Sequence, residues 1–296
     1  MILFRLRQLQ EILLESGILT ATNVLLNAAQ KRISSRLGFQ LYSHKYSQNV
    51  IFMASMAKSG SSWVASILYS LPGFQQIQPA MWKKSASSSW NESKKEHDLY
   101  PDIFSEYKGK LAVIKGHTWG KPENAEILDN NGIKYIFTIR DPRDALISNY
   151  YHARNHHQHW DHDLVNQMKL NEFITYKIQT GAFKREILSW LKMWMDNRNP
   201  EFSLIIRYED MLENDVKEIS KAIRFLSFDI DQSTIDEICL NNRFNKVTGR
   251  QRGDEDQDSF YRKGISGEWK ESFTEKNKTL LEQCEYQELI YELGYE

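Results

Sequence analysis

Three separated segments carry residue types suited to holding phosphate. In the first, Lys58-Ser59-Gly60-Ser61-Ser62-Trp63, small residues let successive backbone N–H groups and a helix N-terminus converge on an anion. Lys58 adds a mobile charge there, and the hydroxyls of Ser59, Ser61 and Ser62 add donors. The nucleotide loop G-x-x-x-x-G-K-[ST] needs lysine directly after its last glycine and then a hydroxyl for magnesium. Here lysine precedes Gly60, which argues against an ordinary magnesium-dependent NTPase. Taken alone, the segment also fits a serine-rich turn ahead of a helix. The second segment runs from Arg140 through Asp141-Pro142 to Ser148, and Ser148, about two helical turns on, can face the same crevice as the guanidinium. An ion pair between Arg140 and Asp144 is the competing reading. The third is Arg262-Lys263-Gly264, two cations beside a glycine that permits close backbone approach to a phosphate, with a solvated charged loop as its alternative.

These segments need strand ends to present them. Asn49-Val50-Ile51-Phe52-Met53-Ala54 is a nearly uninterrupted apolar run, the pattern of a strand buried on both faces of a parallel sheet, and it stands just before the Lys58 loop. Leu111–Lys115 and Lys134–Ile139 read as two further strands, with a helix over Glu123–Asp129 between them at parallel-crossover spacing. Asp141-Pro142 opens a helix after the third, Phe202–Arg207 is a fourth strand, and the rest is mainly helical except for the charged stretch Gly249–Gly267. Lys83–Asp98 lacks periodicity and reads as a surface loop. The architecture expected is α/β, a mostly parallel central sheet flanked by helices. Residues 1–46 are expected to form an N-terminal helical extension packed on a main domain of residues 47–296, with Leu6, Leu9, Leu13 and Leu14 on one face. The basic, leucine-rich stretch 2–15 could instead lie on a membrane surface.

Composition bounds the function. The 296 residues carry 38 Lys+Arg against 39 Asp+Glu, a net charge of −1 with histidine neutral, which excludes a general nucleic-acid binder. Hydrophobic residues make up 41%, enough for a sizeable core, and no 20–50-residue period points to a solenoid or propeller. Two cysteines, Cys239 and Cys284, are too few for a disulfide framework or a thiolate zinc site and fit a reducing compartment, with cytoplasm the expected location. The opening Met1–Arg7 places apolar residues before charges and reads as neither signal peptide nor membrane span. His156, His157, His159 and His162 cluster in a polar stretch and are expected to be solvent-exposed rather than metal-binding.

The ordered set resembles the PAPS-dependent sulfotransferases of the cytosolic, small-molecule type, whose pattern is a K-S-G-[TS]-[TS]-W loop, an arginine and serine, and R-K-G-x-x-G-[DE]-W-K. All three occur here in order, Tyr208-Glu209-Asp210-Met211 also matches, and the resemblance covers roughly residues 48–285. It implies a P-loop-like sulfotransferase fold, with 3′-phosphoadenosine 5′-phosphosulfate (PAPS) as donor co-substrate, no required metal, and in-line transfer of a sulfuryl group to a hydroxyl or amine of a small-molecule acceptor. His117, in Lys115-Gly116-His117 at the end of the second strand, matches the family's catalytic histidine and suits general-base work near neutrality. Lys115 matches a lysine that helps hold the transferring group, and Lys58 is the candidate for the leaving oxygen. By the same resemblance Arg140 and Ser148 hold the 3′-phosphate with Arg262, Lys263 and Gly264, and Ser148 restrains Lys58 until acceptor binds. Trp63 and Phe244 flank the adenine, and Tyr208 hydrogen-bonds near the nucleotide.

Several departures accompany the match. The stretch from Phe244 to Arg262 is shorter than the family's, which leaves Phe244 equally readable as a core aromatic. Met56-Ala57 stands where the loop often has Tyr-Pro. The short dimerisation motif after Trp269-Lys270 is not intact, since Phe273-Thr274-Glu275 and Thr279 replace its expected valine and glutamate. Asp254, Glu255, Asp256 and Asp258 form an acidic run that could steer cationic acceptors. A carbohydrate acceptor with the same donor, and a nucleotide-binding protein without catalysis, are the alternative functions.

Overall fold

The computed structural model describes residues 33–79, 82 and 98–296. The stripe expected over residues 2–15 and the loop over 83–97 lie outside these. What is described of the N-terminal extension is a helix over 33–42 and the 3₁₀ turn Ser43–Lys45. This helix is anchored where Gly38 meets Gly73 so closely that a Cβ on Gly38 would stand 3.0 Å from the Gly73 Cα.

Five strands form one sheet: β1 (Val50–Ser55), β2 (Phe74–Gln76), β3 (Leu111–Gly116), β4 (Tyr135–Ile139) and β5 (Ser203–Arg207). They are ordered β2-β3-β1-β4-β5, and every pairing is parallel. All six residues of β1 and all five of β4 are buried, as their continuous apolar runs require. Alternation sorts β1 onto two cores: Val50, Phe52 and Ala54 face one, Ile51 and Met53 the other. The first core holds helices α3 (Pro142–Asn155), α5 (Leu170–Gln179) and α6 (Ser189–Asn197), and α4 (His162–Gln167) adds Val165 to it; the second holds α1 (Ser61–Tyr69), α7 (Tyr208–Phe225) and α8 (Gln232–Asn241). A short helix α2 (Pro122–Asn130) makes the crossover from β3 to β4, as expected. The sheet therefore lies between two helical layers.

Strand β2 was not expected. It has three residues, of which only Phe74 is buried, and it pairs only with β3 at the sheet edge. A run this short has no periodicity to read.

The chain leaves β1 toward β2 on one side and leaves β4 toward β5 on the other. This reversal places a crevice outside the carboxyl ends of β1 and β4, where the Lys58 and Arg140 segments emerge. On the adjoining strand, the Thr118 carbonyl just after β3 accepts a hydrogen bond from Nε1 of both Trp190 and Trp194, each at 2.9 Å. Gly120 lets this segment touch α6, because a Cβ there would stand 2.5 Å from the Trp194 backbone nitrogen.

Candidate active site

After β1 the chain turns through two left-handed residues, Lys58 (φ 62°) and Gly60 (φ 73°). Only glycine fits the second, since a Cβ on Gly60 would lie 2.5 Å from Cδ2 of Tyr208. Helix α1 begins immediately after, so its first N–H groups open toward the crevice. Ser61, Ser62 and Trp63 border a cavity of about 280 Å³ there, together with Lys58 and Gly60. Ser59 does not. Its buried hydroxyl donates to the Met56 carbonyl at 2.7 Å and shares a hydrogen bond with Thr138 Oγ1 at 2.8 Å, so it staples the loop to β4 instead of facing a ligand. Its expected role in binding through that hydroxyl is corrected accordingly. All three serines are small polar residues in one loop, and only the backbone path separates them.

Helix α3 is well begun. Asp141 caps it by accepting from the Arg143 N–H at 2.9 Å, and Pro142 occupies its first turn. Arg140, 7% exposed, lies between the last residue of β4 and this cap. It holds Asp144 at 3.5 Å, donates to the Ile265 carbonyl at 3.0 Å, and stacks its guanidinium 4.5 Å from the Tyr208 ring centroid. The ion pair with Asp144 is therefore present, and it leaves Arg140 at the border of the cavity. Asp144 also accepts from the backbone N–H of Gly267 and Trp269 at 2.6 and 2.9 Å, tying the Arg262 loop to α3. Ser148 borders the same cavity two turns on, with His152 one further turn along the helix.

Arg262, Lys263 and Gly264 border the same cavity. Arg262 pairs with Glu255 at 2.5 Å and with Glu268, and its guanidinium stacks 4.1 Å from Tyr151. Lys263 pairs with Glu268 at 3.0 Å and Glu255 at 3.5 Å. Gly264 (φ 67°) lies against Phe244, whose Cδ2 would be 2.6 Å from a Cβ at that position. Phe244 borders the cavity and joins neither core, so the core-aromatic alternative falls. Trp63 borders the cavity too, edge-on to Tyr208 at 6.3 Å.

Electrostatics follow from this crowding. Burial and the neighbouring Arg140, Lys115 and Arg262 push the Lys58 ammonium down to about 7. Burial also lowers Lys115, whose Nζ donates to Ser62 Oγ at 2.9 Å. His117 borders the cavity at the end of β3, its Nδ1 2.7 Å from the Ser55 carbonyl. A carbonyl only accepts, so Nδ1 donates and Nε2 is the basic nitrogen of the neutral ring.

Among the bordering residues that sequence reasoning missed are His152, Arg252, Phe260 and Tyr261. Burial, Lys58 and the surrounding histidines push His152 down to about 3, and Arg252 lies 5.6 Å over Trp63. Position four residues after Ser148 was a usable signal for His152; the loop residues offered none. The histidine cluster also needs correction, because His159 is 7% exposed and pushed down to about 4 by burial, while His156 and His157 are exposed as expected. No group of three or more His, Cys, Asp or Glu among the described residues is arranged to hold a metal ion, and no described helix is long and apolar enough to cross a membrane.

The cavity suits an anionic nucleotide on structural grounds. Two buried donors that border it, Arg140 Nε and Trp63 Nε1, have no hydrogen-bond partner among the described residues, and no carboxylate borders it.

The model of the sulfotransferase domain matches residues 48–293. Dog Sulfotransferase 1A1 is 27% identical over 152 residues, 48% of this chain and 50% of that protein. Mouse Sulfotransferase 2B1 is 24% identical over 243 residues, 76% of this chain and 66% of that protein. The chain thus spans about half to two thirds of the length of these curated relatives. Among solved structures, mouse sulfotransferase SULT7A1 complexed with PAP shares the fold with a TM-score of 0.59 at 19% identity, covering 82% of this chain and 88% of that one. Retinol dehydratase in complex with androsterone and inactive cofactor PAP does so with a TM-score of 0.53 at 18% identity, covering 84% and 82%. With the domain match running from β1 almost to the C-terminus, the chain belongs to the sulfotransferase family.

Proposed function

We propose that the protein transfers the sulfuryl group of PAPS in line to a hydroxyl or amine of a small-molecule acceptor, with His117 as general base. The observation that carries this reading is the convergence, at the switch point of a parallel sheet, of one strand-end imidazole and a ring of six lysine and arginine side chains on a single cavity. When bound, the donor supplies an activated sulfuryl group and a second phosphate by which it is held. His117 accepts the acceptor proton at Nε2 while its Nδ1–H stays on the Ser55 carbonyl, a role worth roughly a hundred- to ten-thousand-fold in rate. Lys58 neutralises charge developing on the leaving oxygen, and Lys115, steadied by Ser62, stands beside it. Arg140, Ser148, Arg262, Lys263 and the Gly264 backbone hold the 3′-phosphate; Trp63 and Phe244 take the base, and Tyr208 backs both Gly60 and Arg140.

These fixed cations provide the charge neutralisation, so 3′-phosphoadenosine 5′-phosphate (PAP) should bind without magnesium. Calorimetry with chelator present tests this, and preference for ATP or a requirement for magnesium would turn the assignment toward a kinase. His117→Ala should abolish sulfate transfer in an acceptor screen while keeping PAP affinity within about threefold of wild type. Wild-type turnover in that variant would mean the base is elsewhere.

The acceptor charge is also open to reading. Glu255 is engaged with Arg262 and Lys263, so any steering of cationic acceptors rests on the exposed Asp254, Asp256 and Asp258. A cationic advantage at low salt that survives Asp254→Asn with Asp256→Asn would overturn it. The family dimer is not expected through the segment after Lys270, because Phe273 is buried and Thr274 is engaged in a capping box with Asn277; sedimentation as a dimer abolished by surface substitutions in that segment would refute this.

A further inference from the structure

The stretch 249–267 contains neither helix nor strand, yet it presents Arg262, Lys263 and Gly264 to the cavity. Apolar burial does not shape it, for Phe260 is 54% exposed and Asp254, Glu255, Asp256 and Asp258 are all exposed. Hydrogen bonds do: Arg140 and Asp144 hold its end at Ile265 and Gly267, and one further side chain gathers the part before them. The Arg250 guanidinium donates from Nη1 to the carbonyls of Asp254 at 2.9 Å and Arg262 at 2.8 Å, and from Nη2 to the carbonyl of Tyr261. Backbone bonds cross the same loop from Gly253 N to the Lys263 carbonyl at 2.8 Å and from Asp256 N to the Arg262 carbonyl at 3.1 Å. Arg250 is also tied to the helix bearing Phe244 (Phe244–Thr248): its N–H donates to Thr248 Oγ1 at 3.1 Å, and that hydroxyl donates to the Phe244 carbonyl at 2.7 Å. Its guanidinium lies 5.3 Å from the Phe244 ring centroid, and the same ring lies against Gly264.

We propose that Arg250, which does not itself border the cavity, is a positioning residue for the nucleotide: a single guanidinium fixes the backbone that aims Arg262 and Lys263 and holds Phe244 against Gly264. This rests on the reading of the cavity as a PAPS site. Three carbonyls converge on one planar, permanently charged fork, which an ammonium cannot reproduce. The pull it opposes is local. Glu255 and Glu268 both bind Arg262, so a loop released from Arg250 lets that guanidinium follow its carboxylates away from the cavity.

The test is PAP affinity by calorimetry for wild type, Arg250→Lys, Arg250→Ala, Arg262→Ala, Arg140→Ala and the doubles with Arg250→Ala. Both Arg250 variants should bind PAP about tenfold or more weakly, the lysine failing to rescue because it lacks the fork. In the Arg250→Ala background Arg262→Ala should weaken PAP by less than about threefold further, whereas Arg140→Ala should keep its full effect. Coupling to Arg262 but not to Arg140 is what general loss of stability would not produce. Wild-type affinity in Arg250→Lys, or independent multiplying effects of Arg250→Ala and Arg262→Ala, overturns the proposal; if Arg250→Ala does not fold, the lysine variant decides. Absence of PAP binding by the wild-type chain would instead sink the donor reading itself.

Discussion

Lys58 should take up a proton when the nucleotide binds. Its ammonium is pushed down to about 7 from an ordinary 10.5 by burial and by Arg140, Lys115 and Arg262 around it. Phosphate oxygens placed among those cations reverse each electrostatic cause and restore the charged form. With a value of about 7, Lys58 is about half neutral at pH 7 and about nine-tenths neutral at pH 8, so close to one proton should enter per PAP bound at pH 8. The direction follows: the binding-competent form is the protonated one, it is lost as pH rises through 7, and affinity should fall about 50-fold between pH 7 and pH 9. His152, held near 3, stays neutral throughout. Calorimetry of PAP in two buffers of different ionisation enthalpy at pH 8 gives the proton count directly. Lys58→Arg keeps the charge at every pH and should bind PAP with no proton uptake from this position. Equal heats in the two buffers, or an affinity flat from pH 7 to pH 9 in the wild type, would refute the reasoning.

Arg140→Ala should weaken PAP by about 2–4 kcal/mol, as expected when a largely buried anion loses a charged donor, and should bind adenosine 5′-phosphate as the wild type does. An equal penalty against the analogue would make Arg140 structural. Gly60→Ala forces a left-handed φ of 73° on alanine and drives its Cβ toward the Tyr208 ring, so it should lose about 1–3 kcal/mol of stability in urea unfolding. An unchanged midpoint would show that the loop relaxes. Lys177, 1% exposed, bonds Asp161 at 2.8 Å and Glu186 at 2.7 Å, and Lys177→Met should cost about 3–5 kcal/mol by stranding both carboxylates. A loss under about 1 kcal/mol, measured the same way, would contradict that.

Four strands were legible because each is a continuous apolar run, and the Lys58 and Arg140 segments were legible because each directly follows one of those runs. Arg140, Ser148, His117 and Phe244 come together as expected since the parallel order carries every strand's carboxyl end to one edge. Ser59 was misplaced for a reason that residue type cannot reveal: within one loop, the left-handed turns at Lys58 and Gly60 decide which hydroxyl faces β4 and which faces the cavity. Arg250, Arg252 and Phe260 lie in a segment with no period, where position is set by individual side-chain bonds. Lys177 escaped notice because its partners, Asp161 and Glu186, lie 16 and 9 residues away on other elements.

The paired indoles on the Thr118 carbonyl have a wider consequence. The residue after His117 is held by two donors from α6, and Gly120 locks the same segment against that helix, so the direction of the imidazole is inherited from the aromatic core. The donor's grip depends on a loop outside that core. Substitutions there can alter that grip without re-aiming the His117 ring, and loss of one tryptophan's N–H leaves the other in place. On the proposed reading, proton abstraction is thereby insulated from the grip on the donor, because the two rest on separate parts of the scaffold.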